Sequence, residues 1–352
     1  MVATKKRTID DNKSGGGKYP LVSIAVPVYK VEPFIERCAR SLFEQTYENL
    51  EFIFVDDASP DKSIQILERV ILDYPERASN VRILHHETNR RLSETRNTLV
   101  DNARGEFILH VDSDDWVELN AVELLVNKQL ETGADIVTGN MFIHDGERVA
   151  VSSNSGWNLS REIMLEKCLM RAISDMNCGR LIRRQLYVVH GVRADASVSC
   201  NEDFLVIPRL FYYAITVAGI EDCIYHYIFC HVNSISYLSR HDSNIYIQDT
   251  CVVLSRLADF FADKERIWNE TLEKGKVITY HYMMLMAASQ KNLNGYYTSL
   301  KLLNEADSRF WYLVRWNKLF FRKLESNYFL ARKTYPIRMY LQKLKNNYAK
   351  NR

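Results

Sequence analysis

No stretch of this 352-residue chain approaches the roughly 18 consecutive apolar residues of a membrane-spanning helix. The first residues, MVATKKRTIDDNKSGGGKYP, lack the apolar core of a signal peptide, and residues 1–19 are expected to form a flexible polar tail. Seven cysteines are scattered, odd in number and free of any C-x-x-C pair. That pattern excludes a metal site of cysteine spacing and suits reduced thiols in a cytoplasm. There is no internal repeat, and no low-complexity region beyond the first 18 residues. With 47% hydrophobic and 26% charged residues the composition is that of a folded globular protein, not a disordered one.

Charge is the one unevenly distributed property. Residues 301–352 hold 13 Lys and Arg against 3 Asp and Glu, so the net +2 of the chain divides into +10 there and −8 in the other 300 residues. Within that segment WYLVRWNKLFFRKLESNYFLARKTYPIRMYLQKLKNNY mixes aromatics with basic residues on helical spacing. Three readings stand: a helical extension packed on the rest of the chain, a surface for an anionic membrane leaflet, or a nucleic-acid surface. No nucleic-acid-binding motif accompanies the third, and no nucleic-acid partner is expected.

The first half of the chain alternates. VSIAVPV (22–28), FIFV (52–55), VRIL (81–84) and FILHV (107–111) are short apolar runs; amphipathic segments at 34–45, 63–72 and 92–103 separate them. This predicts an α/β fold with a mostly parallel sheet covered on both faces. Beyond Asp135 a hairpin is expected around DIVTGNMFIHDGERVAVS, then helices at 161–171 and 185–189, and from about Ser243 a helical region rich in aromatics. In open α/β sheets ligands bind outside the carboxyl ends of the strands. Here the second strand ends in Asp56 and Asp57, and the fourth in Asp112, Ser113, Asp114 and Asp115.

Clustered carboxylates repel one another unless a cation or hydrogen-bond donors compensate. The FILHVDSDDW stretch therefore predicts a site for a hard divalent cation, Mn²⁺ or Mg²⁺, since its ligands are oxygens and no His or Cys adjoins them in sequence. The alternative is an acidic turn capping the next helix. Glu202 and Asp203, just before FLVIPRLF, read as a helix N-terminus or as a pair of functional acids on such a mount.

VSIAVPVYKVEPFIERCARSLFEQTYENLEFIFVDDASPDKS resembles the opening of the inverting family-2 glycosyltransferases, and NRRLSETRNTLVDNARGEFILHVDSDDW their second block. MNCGRLIRRQLY and CNEDFLVIPRL resemble the later acceptor-side and catalytic segments, so the likeness covers roughly residues 20–236. The resemblance implies a GT-A fold, a Rossmann-like sheet with flanking helices plus a helical C-terminal extension. It divides the chain into a tail (1–19), a catalytic domain (20–240) and a helical basic-aromatic region (241–352).

It also implies roles residue by residue. Pro27 and Tyr29 line the nucleotide base, and Asp57 accepts a hydrogen bond from it, with Asp56 ranked behind. Arg96 lies near the nucleotide or the acidic loop; Asp112 and Ser113 face the ribose, and Asp112 and Asp114 face the metal. Asp115 is a further ligand or a cap. Asp203 is the base that takes the proton of the acceptor hydroxyl, beside Glu202. Two departures stand out. Arg90 and Arg91 occupy the place where a Gly is usual, and Ile228 occupies that of an Arg, leaving His231 and Ser234 as its substitutes. His226 has no role here beyond that of a structural histidine.

The expected reaction is metal-dependent, inverting transfer of a sugar from a nucleoside diphosphate donor to a hydroxyl of a glycan or lipid-linked glycan, in capsule, exopolysaccharide or lipopolysaccharide synthesis. The expected location is the cytoplasm or the inner face of the cell membrane. Two other readings are a sugar nucleotidyltransferase and a non-catalytic nucleotide-sugar-binding scaffold. PVYKVEP lacks the glycine a triphosphate loop needs, against the first, and the acids are present, against the second.

Overall fold

All seven residues of β1 (Val22–Val28) are buried, as a strand covered on both faces must be. β1 runs parallel between β2 (Leu50–Asp56) and β4 (Phe107–His110), and β2 carries β3 (Val81–His85) on its outer side. The computed structural model describes residues 19–314, apart from 147, 153–159, 230, 232–233, 236 and 238–240. Most of the expected N-terminal tail and the basic stretch beyond residue 314 lie outside the described residues.

Side chains alternate across this half-sheet with a period of two. Ile24, Val26, Val28, Phe52 and Phe54 join one apolar cluster, roofed by α1 (Ile35–Phe43) and α2 (Ser63–Leu72) through Ile35, Leu42 and Leu67. Ala25, Ile53 and Val55 point to the other face, into a second cluster with Leu99 and Val100 of α4 (Arg91–Asn102). A one-turn helix, α3 (Pro75–Ala78), precedes β3. Each fully buried phenylalanine here stabilises the sheet by about 3–5 kcal/mol relative to alanine.

Beyond β4 the pattern changes. β5 (Trp116–Val117), α5 (Ala121–Thr132), β6 (Ile136–Asp145), β7 (Arg148–Ser152), α6 (Arg161–Leu169), β8 (Arg180–Arg183), α7 (Arg184–Val189), α8 (Glu202–Tyr213) and β9 (Val217–Ile228) follow in order. The sheet order is β3-β2-β1-β4-β8-β6-β9-β5, with β7 hairpinned on β6. β8 is antiparallel to both β4 and β6, β9 parallel to β6, and β5 antiparallel to β9. The sheet is thus parallel from β3 to β4 and mixed beyond. It curls so that the end of β9 meets the loop after β4.

After β9 come α9 (Ser243–Phe261), α10 (Arg266–Ser289) and α11 (Leu293–Glu305). α9 joins them to the sheet. Its Val253, Leu254, Leu257 and Phe261 pack in the second cluster with Phe204 and Ile207 of α8, while its Ile247 packs with Val277, Met283 and Tyr296. α10 crosses the end of α6 so closely that a Cβ on Gly275 would lie 2.1 Å from the carbonyl oxygen of Leu169. Among the described residues no helix is long and apolar enough to cross a membrane.

Candidate active site

The acidic loop is built by β4 delivering Asp112 and by β9 receiving the turn that follows. The N–H of Asp112 donates to the Tyr225 hydroxyl (3.0 Å), which donates to Asp115 Oδ2 (2.7 Å), and the N–H of Ile228 donates to Asp115 Oδ1 (2.7 Å). Asp115 is 0% exposed. Burial, then the charges of Asp114 and Asp112, push its carboxyl well above the usual range. With both oxygens engaged and no exposure, Asp115 fastens the loop to β9.

Asp112 and Asp114 face other partners. Asp112 Oδ1 accepts from Arg96 Nη2 at 2.9 Å, and its Oδ2 from the Cys178 thiol at 3.1 Å. Asp114 Oδ2 lies 3.0 Å from His231 Nδ1, whose ring packs 4.5 Å from that of Phe34, and Arg37 donates to the Asp114 carbonyl. No described residue donates to Asp114 Oδ1. Ser113 is buried beside them. Ser234 bonds the carbonyl of His231 and the N–H of Tyr237, so it shapes the turn that presents His231.

Arg96, 4% exposed on α4, carries the loop's charge to the start of α8. Its Nη1 contacts Asp203 Oδ1 and lies 3.1 Å from Glu202 Oε1. Asn177 completes the setting of Asp203: its N–H donates to Oδ2 at 3.2 Å and its amide Nδ2 to Oδ1 at 2.5 Å. Three carboxylates around one guanidinium cannot all be ionised cheaply in a buried site. Burial, then Asp203, raises Glu202 to about 8; burial raises Asp203 to about 6, with Arg96 pulling against it. Burial disfavours the charge on Arg96, but Asp203, Asp112 and Glu202 outweigh it and hold the guanidinium charged. Both acids are raised, Glu202 further than Asp203, and Asp203 leaves 17% of its side chain open.

The other strand tips converge at the opposite end. Pro27 pairs in register with Val55, and Tyr29 follows β1 with 39% of its surface exposed. Asp57 is only 3% exposed. Its Oδ1 pairs with His86 Nδ1 and accepts the N–H of Arg90, each at 2.7 Å, and its Oδ2 accepts the N–H of Arg91 at 2.9 Å. The carboxylate thus takes the unpaired N–H groups that a helix start leaves free. Asp56 accepts from the N–H of Ser59 and meets His85, a strand-end role. Arg91 has φ +71°, the left-handed conformation that glycine adopts freely, so the loop that lacks its usual glycine keeps the glycine geometry.

The structure brings Arg96, Asp112, Glu202 and Asp203 into one network, sets Asp114 beside His231, and leaves Pro27, Tyr29 and Asp57 at the tips of β1 and β2. Sequence reasoning missed Asn177, Cys178, His86 and Tyr225. Asn177 and Cys178 lie inside MNCGRLIRRQLY, but no residue spacing marks either as a partner of Asp203 or Asp112. Among the described residues no group of three His, Cys, Asp or Glu is arranged to hold a metal by itself. Mg²⁺ usually binds one or two carboxylates and takes phosphate oxygens for the remainder, and Asp114 Oδ1 is a carboxylate oxygen of this loop to which no described residue donates.

Residues 23–189 match the model of glycosyl transferase family 2. Over 129 residues the chain is 41% identical to the uncharacterized glycosyltransferase EpsJ of Bacillus subtilis, a stretch covering 37% of this chain and 36% of that relative. S. aureus TarS 1-349 in complex with UDP-GlcNAc aligns with a TM-score of 0.68 at 18% identity, over 90% of this chain and 91% of that one. Mannosyltransferase PcManGT from Pyrobaculum calidifontis, in complex with GDP-Man and Mn²⁺, aligns with a TM-score of 0.52 at 16% identity, over 90% of this chain and 87% of that one. At these identities the structural likeness is one of fold, and that fold is GT-A. Through residues 23–189, a little under half of its length, the chain is similar to glycosyl transferase family 2.

Proposed function

We propose that the protein is an inverting glycosyltransferase that moves a sugar from a nucleoside diphosphate donor, a UDP-sugar in preference, to a hydroxyl of a surface glycan or its lipid-linked precursor. The observation that carries this reading is the Arg96 bridge: one guanidinium joins Asp112 of the acidic loop to Glu202 and Asp203 at the start of α8. It ties the acids expected at the donor diphosphate to the acid expected at the acceptor, which an in-line displacement requires to lie on opposite sides of one sugar ring. The UDP-GlcNAc in the TarS structure and the match to the family model support the donor class.

Asp203, ionised above about pH 6, accepts the proton of the acceptor hydroxyl as that oxygen attacks the anomeric carbon. Asn177 holds its two oxygens, and Glu202, whose carboxyl burial raises to about 8, limits the negative charge packed round Arg96. Pro27, Tyr29 and Asp57 form the nucleotide end, and Ser113 with Asp112 the ribose side. Asp114, with Asp112 and His231 beside it, would hold Mn²⁺ or Mg²⁺, which stabilises charge on the departing diphosphate when bound. The Mn²⁺ in PcManGT supports that choice. We assign residues 20–240 as the catalytic domain, against which the described helices beyond it pack through α9.

A thermal-shift screen of nucleoside diphosphates with and without Mn²⁺, on wild type and Asp114→Ala, tests this. Ligand at a hundredfold excess over its dissociation constant stabilises the fold by about 2.7 kcal/mol. A Mn²⁺-dependent shift with UDP, absent in Asp114→Ala, is expected; no shift with any nucleoside diphosphate overturns the assignment.

A further inference from the structure

Glu202 and Asp203 are the first two residues of α8, so their placement is set by the turn that precedes them. An Asn before a helix ordinarily caps it by accepting an N–H of the first turn. Asn201 does not: it has φ +61° and makes no side-chain cap bond. Its amide Nδ2 donates instead to Thr250 Oγ1 on α9 at 2.6 Å, and its Oδ1 accepts from Arg171 at 3.3 Å. The two preceding N–H groups, of Ser199 and Cys200, both donate to Asp249 Oδ2, at 2.8 and 2.9 Å. At the other end of the turn, the carbonyl of Val198 accepts from Ser93 of α4 at 2.6 Å. The start of α8 is therefore held from outside, between α4 and α9.

We propose that Asp249, with Thr250, is a positioning residue for the base: α9 holds residues 199–201 so that Asp203 meets the acceptor hydroxyl. This rests on the reading of Asp203 as the base. Two N–H groups converging on one carboxylate oxygen fix the turn in both distance and direction, and a charged acceptor makes such bonds short and strong. α9 is a rigid mount for the task, because Val253, Leu254 and Leu257 are buried against α8 itself. It lies well beyond residue 189, where the family match ends, so the helical region supplies a working part of the site.

The test compares Asp249→Ala, Asp249→Asn, Thr250→Val and Asp203→Asn, reading nucleoside diphosphate release from UDP-sugars with Mn²⁺, UDP-GlcNAc first. A misplacement of about 1 Å costs on the order of a hundredfold in rate, so Asp249→Ala should lose about 10- to 100-fold in kcat while its affinity for UDP changes less than about twofold. Asp249→Asn, which keeps an oxygen facing both N–H groups, should recover most of the rate. Hydrogen exchange at the amides of Ser199 and Cys200 should quicken in Asp249→Ala and stay slow in Asp249→Asn. Should Asp249→Ala fail to fold, Thr250→Val carries the same comparison with a smaller expected loss. Wild-type kcat in a folded Asp249→Ala whose amides exchange faster overturns the proposal, provided Asp203→Asn is inactive. Full turnover by Asp203→Asn would instead remove the base reading, and this inference with it.

Discussion

The two halves of the site are built in different ways. The proposed nucleotide end rests on β1, β2 and β4, parallel strands buried over nearly their whole length, whose tips carry Tyr29, Asp57 and Asp112 at fixed steps along the sheet. The proposed acceptor end has no such frame. Asp203 is placed by Asn177 from the loop before β8, by Arg96 from α4 and by a turn tied to α9, contacts that span 26, 107 and about 50 residues of sequence. A regular sheet positions a side chain through its register, whereas an irregular region must do so through individual hydrogen bonds. Single substitutions should therefore disturb the acceptor end more selectively than the nucleotide end.

The sharpest break in that comparison is Arg96, which both halves share. Arg96→Met leaves the buried Glu202 and the half-buried Asp112 and Asp203 without their shared guanidinium, and removing one partner of a buried ion pair costs about 3–5 kcal/mol. Urea denaturation at pH 7.5 should show that loss. It should narrow at pH 5, where Glu202 and Asp203 take up protons.

pH separates the halves next. The base must be ionised, so kcat/KM should fall below about pH 6 as Asp203 takes up its proton. Stability runs the other way. Both acids hold protons more tightly when folded than when unfolded, so their favourable contribution is full below about pH 4 and is lost as pH rises through about 6 for Asp203 and about 8 for Glu202. Glu202→Gln, neutral at every pH, should gain stability relative to wild type between pH 5 and pH 8.5. A difference that does not change with pH would contradict the raised Glu202.

The smallest effect belongs to the nucleotide end. Arg91 sits at φ +71°, where an L side chain costs about 1–2 kcal/mol, so Arg91→Gly should relieve strain that the flexibility of glycine in the unfolded chain partly cancels. A net rise of up to about 1 kcal/mol in a urea titration is expected. A loss of stability would mean that the Arg91 side chain contributes more than its backbone costs.

Legibility in the sequence follows the same division. β1 to β4 could be read because each is a short apolar run between amphipathic helices, and β1 and α2 have the predicted bounds. The acidic loop was legible for the same reason, since the strand that carries it was. The pairings of β8, β9 and the two-residue β5 with β4, β6 and one another were not legible: they are settled by contacts distant in sequence, and the first half of β9 carries polar Glu221 and Asp222 that blur any alternation. Glu202 and Asp203 were visible as a helix start, and α8 does begin there. The partners that give them their character, Arg96, Asn177 and Asp249, lie on three other elements, and no local pattern joins them. Arg91 is the instructive case between these extremes. The missing glycine was visible, but only the backbone angle says that the loop kept its shape.

The central claim is that Asp203 removes a proton during sugar transfer at a site whose nucleotide end is separate. Donor turnover by Asp203→Asn, measured as nucleoside diphosphate release alongside the thermal shift with that nucleotide, tests it most directly. Loss of a positioned base should lower kcat by about 10²- to 10⁴-fold and leave the nucleotide shift intact. Turnover at the wild-type rate would contradict the account.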